Sequence, residues 1–80
     1  MLMPERKEKH MDRITFGEKL IASGGYDAQM AVMEIEFTQT RRVIQYVGVS
    51  EEIWYGLKAS YFPDRYFQQN IRGKYEERSF

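Results

Sequence analysis

The sequence predicts a small α+β domain, with a short antiparallel β-meander of about three strands followed by two short helices packed on the sheet. Three observations support this class. Apolar residues alternate over residues 33–37, and a β-branched and aromatic run follows at 42–47, which is the pattern of a hairpin. Ser50 precedes two glutamates, as at a helix N-terminus. Pro63 then separates a second helix from the first.

Length and composition exclude several classes of protein. The chain has 80 residues, enough for one domain, and at this size only about 60–65% of the unfolded chain's surface is buried on folding. It contains no cysteine, so neither a disulfide nor a thiolate metal site can hold the fold together. A net charge of zero argues against strong non-specific nucleic-acid binding, and the short apolar runs exclude a membrane span. We expect a cytoplasmic protein without a cofactor.

The chain divides into three segments. Residues 1–12 are rich in charge and lack apolar periodicity, so we expect a flexible or disordered N-terminal tail. Residues 13–76 carry the pattern of a single domain, and residues 77–80 are expected to form a loose C-terminus. Met11 offers an alternative natural start to Met1.

The first part of the domain is expected to contain one short strand. Leu20 and Ile21 lie between Gly17 and the Gly24-Gly25 pair, which favours a strand over a helix. The glycine pair predicts a bend, a bulge or a close backbone approach before Tyr26. Asp27 is interpreted as a turn residue whose carboxylate accepts nearby backbone N–H groups.

The hairpin has one apolar face and one wet face. Met33, Ile35 and Phe37 share the apolar face, and Glu34 and Glu36 lie on the other. The partner strand is expected to begin after a short polar link. Arg41 and Arg42 at its start are interpreted as cross-strand charge partners of the two glutamates, worth a few tenths of a kcal/mol each.

Two helices should complete the domain. In the first, Ser50 is the expected N-cap, and Ile53, Trp54 and Leu57 form the buried stripe. Gly56 within it either weakens the helix or permits close packing.

The second helix begins after Pro63, with Asp64 as its expected cap. Phe67 and Ile71 stand one turn apart on its core side, and Gly73 is a typical C-terminal stop.

Five short motifs follow one another in a characteristic order: Gly25-Tyr26-Asp27, Glu34-Ile35-Glu36-Phe37, Ile44-Gln45-Tyr46 with Gly48-Val49, Tyr66-Phe67, and Ile71-Arg72-Gly73-Lys74-Tyr75. In this order and spacing they resemble the KTSC domain, a short module found alone in bacterial and phage proteins and at the C-terminus of some lysyl-tRNA synthetases. The resemblance covers residues 17–75. It implies a domain without an assigned activity, for which attachment to a tRNA-charging enzyme suggests RNA binding. Attachment is an argument by association and supplies no mechanism.

The sequence also departs from this family. The family's central Tyr-x-Tyr is Ile44-Gln45-Tyr46 here, which removes the first hydroxyl, keeps an apolar strand residue and favours a packing role. The family's Ala-x-Ser-x-Gly pattern is replaced by residues 60–64, so the corner between the helices is expected to differ. The serine of the family's leading strand is missing near Gly17.

The sequence lacks a recognisable set of catalytic or metal-binding residues, so we do not expect the protein to be an enzyme. The single histidine, His10, lies in the charged tail, and no serine stands in an activated context. Glu34 and Glu36 share one exposed strand face without an evident cleft to perturb a pKa, so a solvated face is the simpler interpretation. Clustered metal ligands are not apparent.

Nucleic-acid binding is one hypothesis, based on basic, amide and aromatic residues on and after the second helix. Basic and amide groups contact phosphates and base edges, and aromatic faces stack on unpaired bases. The competing interpretation assigns the aromatic residues to the core and the amides to the wet face. The candidate residues are Arg65, Tyr66, Gln68, Gln69, Arg72, Lys74 and Tyr75.

The alternative hypothesis is a protein-interaction or self-associating module. Eight of the twelve aromatic residues lie in the last twenty-seven positions, and a small core does not easily hide them all. The partner would be another protein or a second copy of this chain, with no membrane and no small-molecule substrate indicated. The eight are Trp54, Tyr55, Tyr61, Phe62, Tyr66, Phe67, Tyr75 and Phe80.

Overall fold

A computed structural model describes residues 13–79 as one five-stranded antiparallel sheet with two helices. The strands lie in chain order, β1-β2-β3-β4-β5. The elements are β1 (Arg13–Thr15), β2 (Ile21–Asp27), β3 (Val32–Phe37), β4 (Val43–Val47), α1 (Glu51–Ala59), α2 (Pro63–Asn70) and β5 (Glu76–Ser79). The predicted α+β class and both helices are confirmed, but the prediction of about three strands is wrong, since β1 and β5 extend the meander to five.

The two additional strands lack the apolar alternation by which strands are recognised. β1 is only three residues long, and β5 consists of four exposed polar residues. A turn over residues 71–74, with Gly73 at φ +76°, brings β5 back to pair with β4. The prediction of a loose C-terminus at 77–80 is therefore wrong for residues 77–79. Phe80, the predicted tail at 1–12, His10 and the alternative starts lie outside the described residues.

The strand register builds one apolar face, here called the front face. Met33 lies opposite Tyr46 and Ile35 opposite Ile44. Both helices pack on this face, and full burial of each large apolar side chain contributes about 1.5–3 kcal/mol. Nine buried residues form the core: Ile21, Met33, Ile35, Tyr46, Val49, Trp54, Leu57, Phe67 and Ile71.

The two helices begin in different ways. In α1 the Ser50 hydroxyl accepts the backbone N–H of Ile53 at 3.4 Å, which confirms the predicted N-cap. In α2 the N-cap position is Phe62, which makes no side-chain capping bond. The prediction that Asp64 caps α2 is wrong, because its carboxylate accepts the backbone N–H groups of Leu20 and Ile21, both at 3.0 Å. Asp64 thus ties α2 to the start of β2.

Two glycines permit close packing. A Cβ at Gly56 would collide with the Tyr66 side chain, so this glycine lets α2 approach α1. A Cβ at Gly24 would lie 2.9 Å from a Phe16 ring carbon. The irregularity in β2 falls between Ile21 and Ser23, earlier than the glycine pair that suggested it.

The turn after β2 is as predicted. One Asp27 carboxylate oxygen accepts the backbone N–H groups of Gln29 and Met30, at 3.0 and 3.2 Å. Neither α1 nor α2, the helices found between residues 13 and 79, has the length and apolar character needed to cross a membrane.

Candidate binding groove

A cavity of about 620 Å³ opens on the front face, between α2 and the part of the sheet that α2 leaves uncovered. The cavity is surrounded by residues from the β1–β2 and β3–β4 connections, from β3, β4 and β5, and from α2 with its following turn. We call this cavity the groove. It is lined by Lys19, Leu20, Phe37, Gln39, Thr40, Arg42, Ile44, Tyr46, Asp64, Gln68, Arg72 and Glu77.

The floor of the groove is apolar and well packed. Phe37, Ile44 and Tyr46 come from the front face of β3 and β4, where alternate residues point toward the helices. The Phe37 and Tyr46 rings each meet Phe67 of α2 edge-on, with centroids 5.6 Å apart. Such aromatic contacts hold the floor in one arrangement.

Tyr46 contributes a neutral phenol to this floor. Burial raises the pKa of Tyr46 to about 12, and the negative charge of Glu77 acts in the same direction. The Arg72 guanidinium partly opposes this shift. The Tyr46 hydroxyl therefore remains protonated at neutral pH.

Three cations surround the groove: Lys19, Arg42 and Arg72. The ion pairs within 4.0 Å among residues 13–79 involve other basic residues, so none of these three is neutralised by a described carboxylate. Contacts with neighbouring side chains nevertheless define the positions of the two arginines. Arg42 donates to the Ser79 hydroxyl at 2.7 Å, and the Arg72 guanidinium lies 5.7 Å from the centroid of the Phe37 ring.

The groove also contains two carboxylates, which leaves it a surplus of one positive charge. Asp64 has a structural role, because each of its carboxylate oxygens accepts a backbone N–H. Glu77 lies on β5 opposite Tyr46 and stays at the surface. Such a mixture of cations, one open carboxylate and an aromatic floor suits an anionic ligand with polar edges.

The structure brings only part of the sequence-predicted RNA site together. Gln68 and Arg72 line the groove, whereas the other five candidates do not. Arg65 is exposed beside Phe62, with its guanidinium 5.1 Å from the ring centroid. Gln69 and Lys74 are exposed outside the groove.

The two candidate tyrosines have packing roles. Tyr66 fills the space left by Gly56, and Tyr75 is half-buried against the core. Burial raises the pKa of Tyr66, as expected for a phenol that is partly removed from water.

Sequence reasoning missed Lys19 and Arg42. The signal for Arg42 was available, because it has the same strand parity as Ile44 and Tyr46 and so faces the front. The prediction that Arg42 pairs with a strand glutamate is wrong for this reason. No comparable pattern marks Lys19, which lies in an irregular loop.

The opposite face of the sheet, here called the back face, carries a closed polar network. Arg13 donates to Glu34 at 2.7 Å, and Gln45 donates to the other Glu34 oxygen at 3.0 Å. The Ser23 hydroxyl, which is buried, accepts from Arg13 and donates to Glu36 at 2.8 Å. The predicted pairing of Arg41 with Glu36 is confirmed at 3.4 Å.

Three aromatic side chains of the helical segment remain exposed. Tyr61 is 94% exposed, Phe62 62% and Tyr55 55%. We call Tyr61 and Phe62, which lie between α1 and the body of α2, the helix corner. Trp54 and Phe67 are buried, so only part of the aromatic-rich segment builds the core.

The fold defines a small α+β domain, with a five-stranded meander covered on one face by two helices. A family model described as the KTSC domain matches residues 18–75, and the chain therefore belongs to the KTSC domain family. Among solved structures it is similar to the crystal structure of a KTSC domain protein from Yersinia pestis. The two share 30% sequence identity with a TM-score of 0.83, over 89% of this chain and 99% of the other. No curated protein matches.

Proposed function

We propose that this domain is a non-enzymatic accessory module that binds single-stranded RNA in the groove. The observation that carries the proposal is the set of three cations, Lys19, Arg42 and Arg72, that have no ion-pair partner among the described carboxylates and surround an aromatic floor. Unneutralised cations attract phosphates, and aromatic or guanidinium planes accept unpaired bases. The link of some family members to lysyl-tRNA synthetases is consistent with an RNA ligand.

The two sides of the groove would contact different parts of the RNA. Arg42, with its guanidinium held by Ser79, and Lys19 would contact phosphates from the sheet side. Arg72 lies against Phe37 and Phe67, 5.7 and 5.5 Å from their centroids, and its outer plane would stack on a base. Neutralising three phosphates gives a slope of about −2 in a plot of log affinity against log salt, as expected for single strands.

Fluorescence anisotropy with a short labelled single-stranded RNA, and with tRNA, tests the proposal at about 50 and about 200 mM salt. Arg42→Ala with Arg72→Ala should lower the affinity at least about tenfold and flatten the salt dependence. The matched control is Arg41→Ala with Arg78→Ala, which removes the same charge outside the groove and should change affinity only slightly. Absence of binding at the lower salt rejects the proposal.

A further variant tests whether RNA binds in the groove or on the exposed side of α2. Arg65 lies beside Phe62 and does not line the groove. Arg65→Ala should therefore leave RNA affinity within about twofold of the unmodified protein, a difference below about 0.5 kcal/mol. A larger loss would move the RNA site to the outer side of α2 that the sequence suggested.

The helix corner favours a second candidate function, protein interaction or self-association. Tyr61 and Phe62 expose most of their rings, and aromatic residues with a neighbouring arginine are typical of interface hot spots. Light scattering coupled to size exclusion tests self-association, and Tyr61→Ser with Phe62→Ser should return any dimer to monomer. A monomer across the accessible concentration range, with no protein retained in a pull-down, contradicts this alternative.

A further inference from the structure

One acidic residue, Glu77, lies in a groove otherwise suited to phosphates. The β4–β5 register places it opposite Tyr46 and so on the front face. Its neighbour Glu76 lies opposite Val47, on the back face, and pairs with Arg78 at 3.1 Å. Because alternate residues of β5 face opposite sides of the sheet, only Glu77 of the two adjacent glutamates faces the groove.

Glu77 differs from the other groove carboxylate in what its oxygens contact. Both Asp64 oxygens accept backbone N–H groups, of Leu20 and Ile21. Glu77 forms no ion pair within 4.0 Å with any basic residue between 13 and 79, and its negative charge helps to raise the pKa of Tyr46. A carboxylate offers about four acceptor sites, so Glu77, which lines the groove, has acceptor capacity available to a ligand.

A hydrogen-bond donor lines the same groove as this acceptor. Arg72 and Glu77 both line the groove, and Tyr46, which the β4–β5 register places opposite Glu77, forms part of its floor. A carboxylate repels phosphate but accepts N–H groups from a base edge. Guanine presents two adjacent N–H donors, at N1 and N2, next to an acceptor at O6. Uracil presents a single N–H between two carbonyl oxygens, which a carboxylate repels.

We propose that Glu77 is a base-selecting residue, whose carboxylate accepts the N1 and N2 hydrogens of one unpaired guanine while Arg72 donates to its O6. This inference rests on the proposed binding of single-stranded RNA in the groove. It adds a specificity that the three cations alone do not supply, because phosphate contacts carry no sequence information.

The test compares three labelled oligonucleotides by anisotropy: oligouridine, the same strand with one central guanine, and the same strand with inosine in its place. A single guanine avoids quadruplex formation. The guanine strand should bind about tenfold more tightly than oligouridine, as expected for a bidentate base contact. Inosine lacks the N2 amine and should fall between them.

Two variants assign the preference to Glu77. Glu77→Gln should abolish the guanine preference while leaving oligouridine affinity unchanged or higher, because a repulsive charge is removed. Glu76→Gln removes the same charge from the back face and should keep the preference. A guanine preference that survives Glu77→Gln, or equal binding of all three strands, overturns the inference and leaves RNA binding in place. Absence of binding by any strand overturns both proposals.

Discussion

The two faces of the sheet carry similar residues but use them differently. On the back face Arg13, Ser23, Glu34 and Glu36 form a network in which each group has a partner on a neighbouring strand. On the front face the groove cations have no described carboxylate partner. The first arrangement stabilises strand pairing, and the second leaves charge available to a ligand.

This difference shows that residue type alone does not separate structural charges from binding charges. What separates them is whether the fold itself supplies a partner. Arg41 and Arg42 are adjacent in sequence, yet one pairs with Glu36 and the other faces the groove. Variants assayed for both stability and RNA affinity test whether the two faces differ in this way.

The largest expected effect concerns Asp64, a groove residue that we assign to the fold. Asp64→Ala removes the acceptor for two backbone N–H groups, including that of the fully buried Ile21. Hydrogen bonds to a charged group contribute about 1.5–3 kcal/mol each, so we expect the free energy of unfolding to fall by about 3 kcal/mol. Urea denaturation measures it.

The RNA affinity of Asp64→Ala provides the second readout. Below the denaturation midpoint the folded variant should bind RNA no more weakly than Lys19→Ala does, because Asp64 holds the loop that carries Lys19 and makes no proposed ligand contact of its own. Unchanged stability together with weaker binding would show that Asp64 serves the ligand and not the fold.

The next effect concerns the floor of the groove at high pH. The pKa of Tyr46 is about 12 in the folded protein, against about 10 for an ordinary tyrosine. Because the folded pKa is the higher one, this contribution to stability is complete below pH 10 and is lost as pH rises from 10 to 12, by up to about 3 kcal/mol.

Stability measured by urea titration across this range should show the loss. Tyr46→Phe should remove most of the alkaline decline, leaving the smaller parts due to Tyr26 and Tyr66, whose pKa values burial also raises. Tyr61→Phe, at a ring that is 94% exposed, is the matched control. An identical decline in Tyr46→Phe would contradict the prediction.

A smaller effect is expected from the back-face network. Arg13 donates to Glu34 at 2.7 Å and to the Ser23 hydroxyl at 3.2 Å, and its side chain is 35% exposed. Arg13→Ala should lower the free energy of unfolding by about 1–2 kcal/mol, because the partly buried hydrogen bonds of its guanidinium are lost. RNA affinity should not change, because Arg13 lies across the sheet from the groove.

Arg72→Ala is the counterpart on the front face. It should lower RNA affinity while costing only about 0.5–1 kcal/mol of stability through the lost ring contacts. If Arg13→Ala and Arg72→Ala have the same effect on the free energy of unfolding and on RNA affinity, the two faces do not differ in role.

Much of the fold could be predicted from the sequence, because local patterns determine it. Alternation over Met33, Ile35 and Phe37 predicts β3, and Ser50 predicts the start of α1. β5 could not be predicted, since Glu76–Ser79 has no apolar alternation and forms through long-range backbone pairing with β4. Local signals carry no information on such pairing.

The groove was less predictable than the fold. Arg42 could have been placed by strand parity, but Lys19 reaches the groove from a loop that Asp64 anchors forty-four residues later in the chain. Arg65 and Gln69 share a helix with Gln68 yet point elsewhere, because α2 is short and buries one side. Which helical residues meet a ligand depends on that packing.

The smallest effect is expected at Arg41, the neighbour of a proposed RNA contact. Its ion pair with Glu36 spans 3.4 Å and the arginine side chain is 67% exposed, so Arg41→Ala should change stability by less than about 0.5 kcal/mol. The backbone has φ 62°, where glycine is unstrained, so Arg41→Gly should be at least as stable as Arg41→Ala. Thermal denaturation compares the two. Neither variant should weaken RNA binding, whereas Arg42→Ala should. Equal losses at both positions would place the RNA on the β3–β4 turn rather than in the groove.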